Sequence, residues 1–249
     1  MAKKKSKKKN IAITVKNLHI NYRGLKKTSI RSSWRNIFKH KVETFEALKG
    51  INFELEKGKI LGIVGKNGSG KSTMLRAIAG IFSPDKGSIN LHGNNVSLLS
   101  IGVGFNGKLT GMENIYLSGM LLGFSEKEIA QHEQEIVDFA DIGNFIHKPV
   151  KTYSSGMHSK LAFAITAILE TDVMLIDEVL SVGDARFKEK SYNKMKELIS
   201  DSHRTVIIVS HSMSTLRELC DEILWINDGE QVEIGATEEV IARYEEFMN

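Results

Sequence analysis

One cysteine among 249 residues leaves nothing to pair with: Cys220 cannot close an internal disulfide and has no metal-ligand spacing around it, which fits a reducing cytoplasm. Long apolar runs are missing too. The most continuous, Leu161 to Leu169, is nine residues, less than half of the roughly 20 a membrane-spanning helix needs. No part of this sequence is expected to cross a bilayer. Six lysines crowd the first ten residues, but the apolar stretch of a signal peptide does not follow them. The eight histidines show no H-E-x-x-H spacing, so no zinc site is expected, and no internal repeat is visible.

The excess positive charge is also local. The net +4 becomes −2 over the remaining 239 residues once "MAKKKSKKKN", with six lysines and no acid, is set aside. A mildly acidic body argues against a nucleic-acid groove. Residues 1–10 are expected to form a basic disordered tail, with attraction to anionic lipid head groups as the alternative to simple solvation. The apolar share of 41% and charged share of 26% are ordinary for a soluble protein. The length allows one large domain with a subdomain, over 11–249.

What the sequence does contain is "GIVGKNGSGKSTMLRAIAG". Ile60, Leu61, Ile63 and Val64 read as a buried strand, and Met74, Leu75, Ile78 and Ala79 follow at helical spacing. Between them lies G-x-x-x-x-G-K-[ST], in the order a phosphate-binding loop requires. The cradle comprises Gly65, Lys66, Asn67, Gly68, Ser69, Gly70, Lys71, Ser72 and Thr73. Its glycines let successive N–H groups turn inward onto phosphate oxygens, and the helix adds its positive end. Lys71 is placed to neutralise the β- and γ-phosphates of a nucleoside triphosphate, and the Ser72 hydroxyl to hold Mg²⁺. Downstream, "VMLIDE" is a buried strand that delivers acids to the edge of a sheet. Asp177 suits the Mg²⁺ shell, and Glu178 suits polarising the attacking water.

Strand-like "IAITVKNLHINY", "FEALKGINFELEKGKI" with a Lys57-Gly58 turn, and "GSINLHG" make the N-terminal part β-rich. From Thr110 to Leu169 the period becomes helical. Ser125 and Glu128 have capping-box form, Ile129, Ile136, Phe139 and Ala140 continue an apolar face, and Pro149 breaks the series. A further helix starts near Ser154–Ser155. Beyond "VMLIDE" come a charged helix (Ala185 to Ser200), the strand "TVIIVSH", and a hairpin "EILWINDGEQVEIG" turning at Asp228-Gly229. The expected class is α/β with a mostly parallel sheet, an N-terminal antiparallel β part and a helical insert over about 102–170.

Two further pieces fix a resemblance. "YSSGMHSKL" places Ser154, Ser155 and Gly156 at a helix start before the acidic strand, and "VIIVSHS" puts His211 at the end of the next strand. With the phosphate loop, the sequence resembles an ATP-binding cassette (ABC) ATPase over residues 11–235, and so a P-loop NTPase fold. "YSSGM" resembles the family's signature motif, "SVGD" ending at Asp184 its D-loop, His211 its switch histidine, and Tyr22 the aromatic that stacks on adenine. The resemblance implies a head-to-tail dimer of two copies sandwiching two ATP molecules. In it, the Ser154–Gly156 helix start of one copy caps the γ-phosphate held by Lys71 of the other. Lys71, Glu178 and His211 are the implied catalytic residues, and Ser72 and Asp177 the implied metal ligands.

The sequence departs from that pattern in two places. The glutamine that usually opens the helical insert falls near Ile101, and no glutamine lies between residues 82 and 130. The signature has Ser155 for glycine and Met157 for glutamine. "SIGVGFNGKLTGMENIYLSG" and "EVLSVGDARFKEK" resemble the ATPases of polysaccharide exporters, which carry an insertion between the first strands. With no carbohydrate-binding segment after "ATEEVIARYEEFM", the short teichoic-acid form is the best match. The resemblance implies an ATPase at the cytoplasmic face of the cell membrane, working with a separate permease, with two permease copies expected. O-antigen or capsule export, or a soluble non-transport ATPase, are the alternatives. Within the insertion, Ile30, Trp34, Ile37 and Phe38 share one face of an amphipathic helix over about 28–41, suited to a membrane surface or a partner, with packing on its own domain as the alternative.

Overall fold

The computed structural model describes residues 10–23, 44–99, 104–177, 184–200 and 204–248. The lysine-rich start, the helix expected over 28–41, Ile101 and Glu178 lie outside them.

Strands β1 (Ile11–Arg23), β2 (Thr44–Glu56) and β4 (Lys86–Asn90) form an antiparallel sheet in the order β2-β1-β4. A second sheet contains β3 (Ile60–Val64), β5 (Val96–Leu99), β6 (Val173–Ile176), β7 (Thr205–Val209), β8 (Glu222–Asn227) and β9 (Glu230–Ala236). Its order is β5-β6-β7-β3-β8-β9, parallel except for the antiparallel β8–β9 hairpin.

The continuous apolar runs in β6 and β7 follow from burial on both faces. Val173 and Leu175, Ile207 and Val209, and Leu224 and Ile226 point into one cluster, shared with β1, β2 and α1 (Lys71–Ile78). Met174 and Ile176, Val206 and Ile208, and Ile223 and Trp225 alternate onto the opposite face. There they meet α4 (Ser155–Ile168), α5 (Ala185–Ser200), α6 (Met213–Leu219) and α7 (Thr237–Met248). Gly62 of β3 lets that second layer approach: a Cβ there would sit on Ile223 Cδ1 and 2.9 Å from Cys220 Sγ. Cys220 is thus half-buried against the core, and burial pushes its thiol up to about 12.

The helical insert packs around a third cluster formed by α2 (Gly111–Leu121), α3 (Glu126–Ala140) and part of α4. Ser125 and Glu128 cap α3 reciprocally, as expected. Thr110 and Glu113 do the same for α2, a box the sequence reading did not single out. Helix α3 ends at Ala140 with Asp141 left-handed (φ 47°), so two short 3-10 turns, Gly143–His147 and Val150–Thr152, occupy the segment around Pro149.

The hairpin turns at Asp228 and Gly229, both with positive φ, as an Asp-Gly pair in a type I′ turn requires. Its tip touches two parts of the chain, the phosphate loop and β2. The Gly229 N–H donates to Ser69 O (3.1 Å), the Gly229 carbonyl accepts from Lys49 N–H (2.8 Å), and a Cβ at this position would come 2.7 Å from the Ala47 carbonyl of β2. One turn therefore joins the two sheets at the loop that follows β3.

Candidate active site

Strand order positions the site. β6, β7 and β3 are neighbours and run parallel, so their C-terminal ends bring Asp177, His211 and the loop after Val64 to one edge of the sheet. Motifs more than a hundred residues apart in the chain meet there because three short strands pair in register.

The loop is tightly held. Gly65 (φ 155°) lies where a Cβ would collide with the Ile226 carbonyl of β8 and come 2.6 Å from Ser69 Oγ. Helix α1 opens at Gly70 (φ 104°), and no side chain caps it. An uncapped helix start leaves its first-turn N–H groups for a ligand, the arrangement in which a helix end receives phosphate. Lys71 is 7% exposed, and its ammonium donates to the carbonyls of Gly65 (2.7 Å) and Lys66 (2.9 Å). The charge is thereby centred over the curl of the loop. Among the described residues, Ser69 Oγ is buried without a hydrogen-bond partner, and, chain neighbours apart, no atom of them lies within 4 Å of where a Gly68 Cβ would be.

Ser72 Oγ donates to Asp177 Oδ1 (3.2 Å). A hydroxyl and a carboxylate, both hard oxygen donors, face each other beside the phosphate cradle, a pairing that fits Mg²⁺. Both residues line a cavity of about 520 Å³, together with Tyr22, Phe45, Lys71 and His211. That volume is of the size that takes a nucleotide-sized ligand.

The two sheets divide the cavity between them. The parallel sheet supplies the phosphate end. The antiparallel sheet supplies two aromatics, Tyr22 and Phe45, paired across β1 and β2. The Tyr22 hydroxyl lies 3.0 Å from Thr73 Oγ1, and its ring meets Phe82 edge-on (5.8 Å, 88°). Tyr22 is thus tied to the first turn of α1. Phe45, 63% exposed, was missed in the sequence, as was Arg76, which also lines the cavity. Only the strand register places Phe45 opposite Tyr22. For Arg76 the signal was available: it lies within the helix that the phosphate loop opens.

The signature segment lies elsewhere. Ser154 Oγ accepts from Met157 N–H (3.2 Å) and caps α4. Tyr153 turns inward, donating to the Phe145 carbonyl (2.7 Å), and burial pushes its phenol up. His158 packs on Phe105 (4.8 Å between ring centres), and burial lowers its imidazole. Asp184 accepts from Lys160 (2.8 Å) and caps α5 through Phe187 N–H (3.0 Å). Those bonds, Lys160 foremost, hold its carboxyl below the usual range. Among the described residues, Ser154, Ser155, Gly156 and Asp184 do not line the cavity that holds Lys71. The structure brings the phosphate loop, Asp177, His211 and Tyr22 together and leaves the signature apart.

Residues 48–181 match the family model described as ABC transporter. The chain is 40% identical over 239 residues to the teichoic acids export ATP-binding protein TagH of Staphylococcus haemolyticus, and 41% identical to that of Staphylococcus epidermidis. Each alignment covers 96% of this chain and 90% of the relative. It is 46% identical over 202 residues to the TagH of Bacillus anthracis, covering 81% of this chain but 36% of that longer protein. Among solved structures, the dimeric ATP-binding cassette MJ0796 in a post-hydrolysis state bound to ADP and Pi matches with a TM-score of 0.67 at 21% identity, over 90% of this chain and 98% of that one. An ATP-binding subunit of an ABC transporter matches with a TM-score of 0.70 at 20% identity, over 94% and 93% of the two chains. The P-loop cassette fold expected from the motifs is the fold these neighbours share. The family model and the likeness over 96% of the chain agree: this chain belongs to the ABC transporter family, beside the teichoic-acid export ATP-binding proteins.

Proposed function

We propose that this chain is the ATP-hydrolysing subunit of an exporter that moves a lipid-linked cell-envelope polysaccharide, teichoic acid, through a separate membrane permease. The observation that carries this is the 40% identity to a teichoic acids export ATP-binding protein across 96% of the chain, over a site whose lysine, serine and aspartate are already assembled.

In this reading the triphosphate lies along Gly65–Thr73 with its base against Tyr22 and Phe45. Lys71 moves its donors from the loop carbonyls to the β- and γ-phosphate oxygens. Ser72 and Asp177 hold Mg²⁺, which when bound neutralises charge on the phosphates. Glu178, one residue beyond Asp177, orients and polarises the attacking water, and His211 contacts the γ-phosphate. The Ser154–Gly156 helix start supports a second copy as partner: an anion site set outside its own chain's cavity is placed to close over another chain's ATP, with Asp184 nearby. The dimer then works at the cytoplasmic face of the membrane against two permease subunits. Among the described residues no helix is long and apolar enough to cross a membrane, and the reading assigns the translocation path to that partner.

The test is reconstitution with the permease encoded beside this chain, in liposomes carrying lipid-linked teichoic acid. ATP should drive its movement, and Glu178→Gln should retain ATP, accumulate as a dimer and stop both phosphate release and transport. Transport of a different glycan but not teichoic acid overturns the substrate, and normal phosphate release by Glu178→Gln overturns the base.

A further inference from the structure

The last turn of α7 lies against the phosphate loop through residues that do not line the cavity. Lys66, the second residue of the loop, is exposed and holds its ammonium 4.5 Å above the centre of the Phe247 ring. Phe247 in turn rests on Trp225 of β8 (5.1 Å, 58°), and Tyr244 meets the same indole edge-on (5.5 Å, 75°). The residue after Trp225 is Ile226, whose carbonyl is the atom Gly65 packs against. Consecutive residues of β8 therefore hold consecutive residues of the loop: Ile226 meets Gly65 directly, and Trp225 reaches Lys66 through Phe247.

Lys66 matters through its main chain. Its carbonyl accepts two hydrogen bonds, from Ser69 N–H (3.1 Å) and from the Lys71 ammonium (2.9 Å). The first closes the curl of the loop, and the second holds the phosphate-binding charge over it. A contact that fixes the Lys66 side chain restrains the peptide on which both bonds depend.

We propose that Phe247 is a positioning residue for nucleotide binding: its ring holds the Lys66 ammonium, and so α7 braces the phosphate loop in the geometry that receives ATP. Phe247 itself does not touch the nucleotide. The interaction is a cation over an exposed aromatic face, so removing it should change loop stability and nucleotide affinity by about two- to fivefold. The plain alternative is that Phe247 only covers Trp225, as any large apolar side chain would. The two differ in chemistry, because a leucine covers the indole but offers no negative ring face to a cation.

The experiment uses the full chain with Phe247→Leu, Phe247→Trp, Lys66→Met and the Lys66→Met/Phe247→Leu pair. Amide exchange over residues 65–70 is followed without nucleotide, and ATP affinity and the KM and kcat of hydrolysis are measured alongside. Phe247→Leu should speed loop exchange and weaken ATP about two- to fivefold, acting on KM more than on kcat. Phe247→Trp should restore both. In the Lys66→Met background Phe247→Leu should add nothing. Unchanged loop exchange in Phe247→Leu, or an equal effect of that change with and without Lys66, overturns the brace. The proposal rests on the loop being the nucleotide site. Failure of the wild-type chain to bind ATP would remove that reading, while the exchange measurements, made without nucleotide, still decide whether α7 braces the loop.

Discussion

Replacing Lys71 with methionine isolates a charge from its packing. The side chain is 7% exposed, and methionine retains most of its buried stem while removing the ammonium. Two effects follow from the geometry. Without ligand, the Gly65 and Lys66 carbonyls lose their donor at 2.7 and 2.9 Å, so the loop loosens. With ligand, the phosphates lose a charge-assisted hydrogen-bond donor worth about 2–3 kcal/mol. At about 1.4 kcal/mol per tenfold, affinity should fall roughly 30- to 150-fold. Titration with a fluorescent ATP analogue reads the affinity, and thermal denaturation without nucleotide reads the loosening. The thermal midpoint should drop only modestly, because the three hydrophobic clusters do not include Lys71. Wild-type affinity in Lys71→Met would refute the assignment. A collapse of the thermal midpoint large enough to explain the lost binding would refute the separation of charge from packing.

Gly65→Ala should impair the loop without touching any phosphate ligand. The new Cβ would force the Ile226 carbonyl or Ser69 aside, an overpacking cost of about 1–3 kcal/mol, seen as a lower thermal midpoint together with weaker nucleotide binding; unchanged values of both would remove the steric argument. The helical insert should be acid-sensitive through its caps. The Glu113 carboxylate accepts from Thr110 N–H and Oγ–H, and that of Glu128 from Ser125 Oγ–H and N–H. These bonds hold both groups below the ordinary 4.5. Because the folded values are depressed, the stabilisation is complete above the unfolded value and is lost as pH falls through the folded ones. The difference in thermal midpoint between wild type and Glu113→Gln/Glu128→Gln should therefore shrink below about pH 4; a difference constant from pH 7 to pH 3 would show that the carboxylate charges contribute nothing.

Local signals in the sequence translated directly into structure wherever one element carried its own chemistry. The Ser125–Glu128 box, the Asp228-Gly229 turn and the glycine-rich loop each need only a few neighbouring residues, and each forms as read. The apolar runs "VMLI" and "TVIIV" announced strands buried on both faces, because no alternation interrupted them. Strand β5 escaped notice since Val96–Leu99 is only four residues, too short for an alternation to register. What could not be read was lateral order. Placing β6, β7 and β3 side by side requires knowing that Asp177, His211 and Lys71 share an edge, and only the motif resemblance supplied that.

The hairpin tip carries this point furthest. As sequence, Asp228-Gly229 is a turn and nothing more. In the fold its glycine bonds Ser69 of the phosphate loop and Lys49 of β2, while Ile226 just before it packs on Gly65. The sheet that supplies the aromatics and the sheet that supplies the phosphate cradle are thus joined through one two-residue turn. Displacing either sheet would strain hydrogen bonds at both ends of that turn. The distance between Tyr22 and Lys71, and so the length of ligand the cavity accepts, depends on backbone groups of that turn. The sequence marks the turn through the glycine its positive φ requires but not what the turn bonds, whereas the Tyr22 hydroxyl on Thr73 adds a side-chain tie whose chemistry is visible.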